Sequence, residues 1–262
     1  MGLIIFLICF TASTVGGICG IGGGVIIKPV LDSLNIMSVS SISFLSGLSV
    51  LSMSVVSMFK QRKNHLVELR TGSMLALGAV LGGILGNAMF QQLKQLTQEE
   101  LVGLVQAVVL ALITLLTLIY SMFLRSRLPS YRIYRPVHVI LAGIMMGILS
   151  AFLGIGGGPI NLAILYFAFS MDTKKAAANS LYIIMFSQSA SFITSCVQQT
   201  IPEFNPIYLV FMVSAGILGG IAGSKINKKI SAKTTDKLFA CLLAVIIVIC
   251  GYNAWRFSQF IF

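Results

Sequence analysis

Long stretches of uninterrupted apolar sequence constrain this chain more than any other feature. Residues 101–124 and 238–255 carry no Asp, Glu, Lys or Arg, and several other blocks resemble them. A helix of about 20 apolar residues crosses the ~30 Å hydrocarbon core of a bilayer. Charged residues make up only 10% of the 262 positions, whereas soluble domains carry about a quarter. We therefore predict an all-α polytopic membrane protein that has the lipid bilayer as a partner.

The basic character of the chain fits this class better than it fits a nucleic-acid binder. The net charge is +11, but the Lys and Arg residues lie in short connections between apolar blocks. This distribution is typical of the signals that orient membrane helices. Proteins that bind nucleic acids instead cluster basic residues on one surface, often with aromatic residues among them. We predict no nucleic-acid partner.

The chain contains an internal repeat. The GIGGG run at 20–24 recurs at 154–158, an offset of 134 (154 minus 20), and LGGILG at 81–86 recurs as LGGIAG at 218–223. Two landmarks in the same order indicate a tandem duplication. The predicted domains are a first transmembrane repeat at 1–126, a basic cytoplasmic linker at 127–136 and a second transmembrane repeat at 137–262.

Cations predict which connections face the cytoplasm. Lys and Arg concentrate in the connections 60–70, 125–135 and 225–237, whereas 94–100 holds one Lys and 199–206 holds no cation. By the positive-inside rule, the first three connections are cytoplasmic and the other two face outward. The same rule applied to the repeats predicts their relative orientation.

Equivalent helices of the two halves should cross the membrane in opposite directions. The apolar block 38–59 ends at Lys60 on the predicted inside, while its counterpart 174–198 begins there with Lys174 and Lys175. We therefore predict an inverted-topology repeat of two five-segment halves. Both chain termini are predicted to lie outside.

Each half is predicted to open with a glycine-broken helical hairpin. Residues 137–171 must return to the cytoplasmic side they left, and Gly and Pro interrupt them at 154–159. Residues 2–34 form the corresponding hairpin, with a predicted break at 16–24. Irregular backbone at membrane depth persists only where protein or water satisfies it.

The two glycine breaks are predicted to bind the substrate. Consecutive glycines leave backbone N–H groups without helical partners, and helix N-termini attract anions. Inverted repeats bring two such helix ends together near the bilayer midplane. The alternative is that the glycines only permit close helix crossing. The predicted backbone contacts come from Gly22, Gly23, Gly24, Gly156, Gly157 and Gly158.

Five polar side chains near these breaks are further candidates for substrate binding. Asn161 follows the second glycine run and could donate to a substrate oxygen or cap the restarting helix. Ser46, Asn179 and Gln188 lie on polar stripes of two apolar blocks, where they could line a passage or only pack between helices. Lys28 is either a countercharge for the substrate or a side chain that snorkels to the surface.

No cofactor, metal or catalytic site is predicted. The glycine runs lack the preceding strand and the following acid of a dinucleotide fingerprint. His65 and His138 are far apart in sequence, and no cluster of metal ligands or catalytic residues emerges. The five cysteines form no CxxC pair and are expected to be small buried thiols. We predict that the protein is not an enzyme.

Both glycine motifs resemble those of a known family. GGICGIGGGVIIKPVL resembles the opening motif of the TauE/SafE sulfite-exporter family, and FLGIGGGPINLAIL followed by AANSL resembles its second-half motif. The resemblance covers essentially the whole chain. It implies a bacterial-type plasma-membrane transporter for small sulfur-containing or organic anions such as sulfite or sulfoacetate. One departure is Ala163, which stands opposite Pro29, so the two hairpins are expected to differ in shape.

These observations together predict a secondary transporter. It would move a small sulfur-containing anion by alternating access, with one half rocking against the other around the glycine breaks. A passive anion channel and a non-transporting membrane subunit are the alternatives. A coupling ion, for which Asp32 is the candidate proton carrier, and a homodimer are left open.

Overall fold

The computed structural model describes residues 2–61, 66–125 and 131–261, and ten α-helices occupy most of these ranges. The cations Arg62 and Lys63 of the 60–70 connection and Arg127 of the 125–135 connection lie outside these ranges, as does His65. The helices are α1 Gly2–Cys19, α2 Gly24–Leu34, α3 Val39–Gln61, α4 Leu69–Leu96, α5 Glu99–Ile119, α6 Pro136–Leu153, α7 Gly158–Phe169, α8 Thr173–Val197, α9 Pro206–Lys229 and α10 Ala232–Ile261. A π-helical turn, Tyr120–Leu124, extends α5.

Eight of these helices are long and apolar enough to cross a membrane. The all-α polytopic prediction is confirmed. The other two helices, α2 with 11 residues and α7 with 12, are the second arms of the predicted hairpins. The first break is shorter than predicted, because Gly16 and Gly17 remain helical in α1 and only residues 20–23 leave the helix.

The connections rich in cations meet at one end of the helix bundle. Lys228 Nζ donates to the carbonyl of Lys60 at 3.0 Å, which joins the α9–α10 connection to the end of α3. Arg125 pairs with Asp236 at 3.2 Å and so ties the end of α5 to the start of α10. We call this the basic end.

The remaining connections meet at the other end, which we call the far end. Ser40 Oγ donates to Glu99 Oε1 at 2.7 Å, and Ser41 Oγ donates to the carbonyl of Glu203 at 2.7 Å. The starts of α3 and α5 and the segment before α9 therefore lie side by side. The two ends match the two groups of connections that the charge pattern separated.

Helices at equivalent positions of the two halves run in opposite directions. α3 runs from the far end to the basic end, whereas α8 starts at the basic end, where Thr173 donates to Asp236 at 2.9 Å. The first helix of each half also packs against the fourth helix of the other half, α1 on α9 and α6 on α4. Such reciprocal pairing fits a two-fold relation between the halves, and the inverted repeat and its orientation in a membrane stay predictions.

The repeated LGG motifs lie in these helix–helix contacts. A Cβ on Gly82 of α4 would overlap the carbonyl oxygen of Ile144 on α6, and one on Gly223 of α9 would lie 2.5 Å from the carbonyl of Thr14 on α1. Small residues allow such close backbone approach between membrane helices. The α4–α6 and α9–α1 contacts thereby hold the first arm of each hairpin.

Candidate functional site

The two glycine breaks touch each other in the centre of the bundle. The backbone N–H of Gly158 donates to the carbonyl of Ile21 at 3.2 Å. A Cβ on Gly24 would overlap the carbonyl oxygen of Ile155, so the two segments are in direct backbone contact. Every residue from 20 to 24 and from 154 to 158 is buried. The predicted convergence of the two glycine runs is present in the fold.

The two breaks begin alike and then diverge. Gly20 and Gly154 have φ of 79° and 63°, and Gly22 and Gly156 have φ of 77° and 79°, all in the left-handed region that favours glycine. Gly157 then has φ of 117° against −69° for Gly23, and Gly158, the first residue of α7, keeps a φ of 64° whereas Gly24, the first residue of α2, has no positive φ. A proline disfavours the right-handed helical region for the residue before it, which accounts for this difference because Pro159 follows Gly158.

Two helix N-termini open onto the breaks. α2 begins at Gly24 and α7 at Gly158, and in the described chain neither start carries a side-chain cap. The first amides of a helix lack intrahelical acceptors, and the helix dipole places about half a positive charge there. Two such ends in contact make a region that favours negative charge without using a cationic side chain.

Asn161 is the polar side chain that this arrangement leaves unsatisfied. It lies in the first turn of α7, is 1% exposed, and its Nδ2 occupies the space that a Cβ on Gly157 would need. Neither Nδ2 nor Oδ1 has a hydrogen-bond partner among the described residues. An unpartnered buried amide costs about 1–3 kcal/mol. Such a group is expected to be completed by a ligand or by water.

Two hydroxyls that are not among the predicted substrate-binding residues also lie beside the breaks. Ser13 Oγ on α1 would be 2.9 Å from a Cβ on Gly23, and Ser43 on α3 packs directly against Gly154. Both side chains are buried, and neither hydroxyl has a partner in the described ranges. Ser13 gives no sequence signal, because its approach to the break depends on how tightly the hairpin folds back.

Two of the predicted polar residues support the second break and the space beside it. Ser46 Oγ donates to the carbonyl of Gly154 and also to that of Ser43, at 3.2 Å for the latter. Gln188 Nε2 on α8 donates to Ser150 Oγ at 2.9 Å. These bonds connect α3, α6 and α8 around the break, so the two side chains position the site in this structure.

A cavity leads from Gly154, at the start of the second break, to the far end. Its volume is about 560 Å³ when the open space at its mouth is counted. Its inner wall includes Ser43, Gly154 and Gln188, and its outer wall includes Lys94 and Thr200. The only cation along its lining within the described residues is therefore at the mouth.

Two predicted site residues lie elsewhere. Asn179 makes hydrogen bonds with the segment before α4: its Oδ1 accepts from Glu68 N–H at 3.2 Å, and its Nδ2 donates to the carbonyls of Leu66 and Lys175. Lys28 pairs with Asp32 at 2.8 Å in a separate cavity between α2, α5 and α10. In this structure neither side chain is free to face an anion at the breaks.

The cysteines divide into two groups. Cys9, Cys19 and Cys250 are buried thiols as expected, whereas Cys196 and Cys241 lie exposed on the surface of the helix bundle. The expectation of buried thiols is wrong for these two positions, because they fall on the outer faces of α8 and α10. No group of three His, Cys, Asp or Glu side chains suited to a metal occurs in the described part of the chain.

The sequence matches a known protein family over most of its length. Residues 5–249 match the family described as Sulfite exporter TauE/SafE, which is nearly the whole chain. The chain belongs to this family. The predicted relationship is confirmed, and the glycine motifs that suggested it are the two breaks that meet in the TauE/SafE fold.

A relative in the TauE/SafE family supports the same class of activity. The chain is 21% identical over 271 aligned residues to the probable membrane transporter protein YunE of Bacillus subtilis (strain 168), covering 93% of this chain and 95% of YunE. No solved structure matches the chain. The protein is a multi-pass membrane protein with the role of a membrane transporter.

Proposed function

We propose that this TauE/SafE protein is a secondary transporter that moves a small sulfur-containing anion, such as sulfite or sulfoacetate, across the plasma membrane by alternating access. The observation that carries the proposal is Asn161. Its unpartnered amide lies where the uncapped N-termini of α2 and α7 meet. A bound anion would supply the acceptor that the Asn161 amide lacks, beside the positive ends of two helix dipoles.

The donors around the breaks suit an oxyanion. Backbone N–H groups, the Asn161 amide and the Ser13 and Ser43 hydroxyls can each donate to one oxygen of a sulfite or sulfonate group. The family is described as sulfite exporters, which supports sulfur oxyanions as the substrate class. The partial charges of helix ends bind an anion more weakly than a lysine side chain paired with it would. The anion can therefore be released, as transport requires.

Alternating access is supported by the unequal packing on the two sides of the breaks. The cavity extends from the far end to Gly154 at the start of the second break. Toward the basic end, Asn227 Nδ2 donates to the carbonyl of Ile18, and Lys174 Nζ donates to the carbonyls of Asn227 and Ile230. We infer that these contacts between α1, α8 and α9 close the pathway in this state and separate in the other.

Thermal stability of the purified protein against a panel of anions tests the site. Sulfite, thiosulfate, sulfate, sulfoacetate and short carboxylates would be compared at fixed pH and ionic strength. A ligand specific for the folded state stabilises it by about 2.7 kcal/mol at a hundredfold excess over Kd. We expect a selective rise in Tm for one or more sulfur oxyanions, and its loss in Asn161→Ala.

A matched control is Asn179→Ala, which removes a buried amide outside the proposed site. We expect this variant to keep the anion-dependent rise in Tm from a lower starting value. An unchanged anion response in Asn161→Ala, or its loss in both variants alike, would contradict the proposed site.

Counterflow in preloaded vesicles separates a carrier from the alternatives. Anion on the opposite side accelerates uptake through an alternating carrier, because the loaded carrier reorients faster than the empty one. A passive channel shows no such acceleration, and a non-transporting subunit shows no uptake. Either of these two results would overturn the proposed mechanism.

A further inference from the structure

A second buried polar cluster lies between α2, α5 and α10, apart from the anion site. Lys28 Nζ and Asp32 Oδ2 are 2.8 Å apart, and the two side chains are 3% and 6% exposed. A buried ion pair is costly to desolvate and is therefore weak evidence of a role in stability alone. Within membrane proteins, ionisable residues mark ion and proton pathways.

Three unpartnered oxygens belong to this cluster, one of Asp32 itself and one each of Gln106 and Asn253. The amide nitrogens of Gln106 and Asn253 donate to the carbonyls of Phe152 and Pro29, each at 2.7 Å. These bonds fix the amides so that their oxygens remain without donors in the described residues, as does Asp32 Oδ1. Lys28, Asp32, Gln106 and Asn253 line one small cavity, of about 220 Å³ when the open space at its mouth is counted.

Asp32 also borders a second cavity, which opens at the far end. This cavity encloses about 500 Å³ including its mouth and is lined by Ser38, Glu99, Glu100 and Arg256 as well as Asp32. The carboxyl group therefore stands between an outer polar cavity and the buried lysine. Protons can reach it from one side of the protein without crossing the apolar core.

The charged groups around Asp32 are few. Lys28 lies on its own helix, Arg256 is on α10, and Glu99 and Glu100 are at the start of α5. Cys250 of α10 lines the inner cavity as an uncharged thiol. α1 and α7 contain no charged residue, and the one charged residue of α3, Lys60, lies at the basic end.

We propose that Asp32 is the proton-binding site that couples anion movement to a proton gradient. The proposal rests on the transport function proposed above. A proton from the far-end cavity adds to the Asp32 carboxylate and gives a neutral carboxylic acid. The Lys28 ammonium then turns to the free oxygens of Gln106 and Asn253, which keep it solvated.

Protonation would favour anion binding by electrostatics. Lys28 lies one turn after Gly24, the residue that begins α2 beside the anion site. Neutralising Asp32 leaves the lysine charge uncompensated and so raises the positive potential at that helix end. Because coupling between two ligands is reciprocal, a bound anion favours the protonated state by the same factor. The proton and the anion therefore move together.

A metal cation is a poorer occupant of the same cluster. A metal cation bound at Asp32 would lie beside the buried Lys28 ammonium and would be repelled at close range in a medium of low dielectric. Transport that depends on sodium would therefore contradict the proposal.

The test uses proteoliposomes that contain a pH-sensitive dye. Sulfoacetate is the probe, because its sulfonate and carboxylate are ionised near neutral pH and it carries no proton of its own. An inward sulfoacetate gradient should acidify the lumen in the wild type. Asp32→Asn should lose this acidification and retain sulfoacetate counterflow. The control Asp172→Asn, at an exposed helix cap near the basic end, should retain both signals.

Several results would overturn the proton site. Counterflow in the wild type with no acidification, or transport that requires sodium but no proton, contradicts it while leaving the transporter intact. Acidification that persists in Asp32→Asn also contradicts it. If Asp32→Asn does not fold, the double variant Lys28→Gln, Asp32→Asn removes both charges together and should show the same uncoupled transport.

An infrared measurement separates this inference from the transport proposal. Acidification should produce a carboxylic-acid C=O band in the wild type that is missing in the double variant, whether or not sulfoacetate is transported. Absence of counterflow with the band present would contradict transport of this anion and support the proton site. Absence of the band would overturn the proton site.

Discussion

Asn161 and Asn179 are the same side chain in opposite surroundings. Both are buried on apolar helices, with exposures of 1% and 0%. Asn179 uses both ends of its amide to hold the segment before α4, whereas neither end of Asn161 has a partner among the described residues. Removing the two amides should therefore have different effects on stability.

We predict that, without ligand, Asn179→Ala lowers stability and Asn161→Ala does not. Loss of a buried, fully bonded amide leaves its partners unsatisfied and costs about 1–3 kcal/mol each. Truncating an amide that has no partner removes an existing penalty. Melting temperatures in detergent, in the absence of small oxyanions, would measure the contrast. Equal losses in both variants would show that Asn161 makes a structural bond.

The sequence could predict the neighbourhood of the site but could not separate these two residues. Gly22–Gly24 and Gly156–Gly158 were recognisable because glycine runs have few uses in a membrane helix. The pairing of Asn179 with the 66–68 backbone depends on how α8 and α4 pack, which periodicity does not encode. Ser13 was missed for a similar reason, because its place beside Gly23 depends on the fold of the hairpin.

At the scale of elements, the molecule depends on how closely its helices approach. Apolar length and glycine runs predicted every helix and both hairpins, since membrane spans need about 20 apolar residues. The predicted start of the first break, at Gly16, was wrong. Gly16 continues α1 because its missing Cβ admits the backbone of Gly22 and Gly23, which fold back against it.

Substitution of glycine by alanine should have opposite effects on stability at helix contacts and at outward-facing positions. Gly82→Ala places a methyl on the Ile144 carbonyl and should destabilise the α4–α6 contact by about 1–3 kcal/mol. Gly251→Ala on α10 meets nothing within 4 Å and should be neutral or stabilise the helix by up to about 1 kcal/mol. Thermal unfolding in detergent compares the two. A similar response at both positions would contradict the close α4–α6 packing.

At the scale of the whole molecule, charge separates the two ends of the bundle. Lys60, Arg125, Lys174 and Lys228 come together at the basic end, while Glu99 and Glu203 mark the far end. The loop charges predicted this grouping because orientation signals must lie on one side of a membrane. Which end faces the cytoplasm follows from that rule alone and stays a prediction.

We predict that the basic end is cytoplasmic and that both chain ends lie outside. A peptide tag added after the last residue should bind antibody in intact spheroplasts. A tag in the 127–136 linker should bind only after the membrane is permeabilised, and it serves as the internal control. The reverse pattern would invert the proposed topology and would place the open cavity on the cytoplasmic side.

The different shapes of the two glycine breaks have a consequence for kinetics. A carrier made of identical halves would rest equally often facing either side, because its two empty conformations would have the same free energy. Pro159 and the left-handed Gly158 have no counterparts at Val25 and Gly24, so that equality is lost. The empty carrier should favour one conformation, and the half-saturating anion concentration should then differ between the two membrane faces.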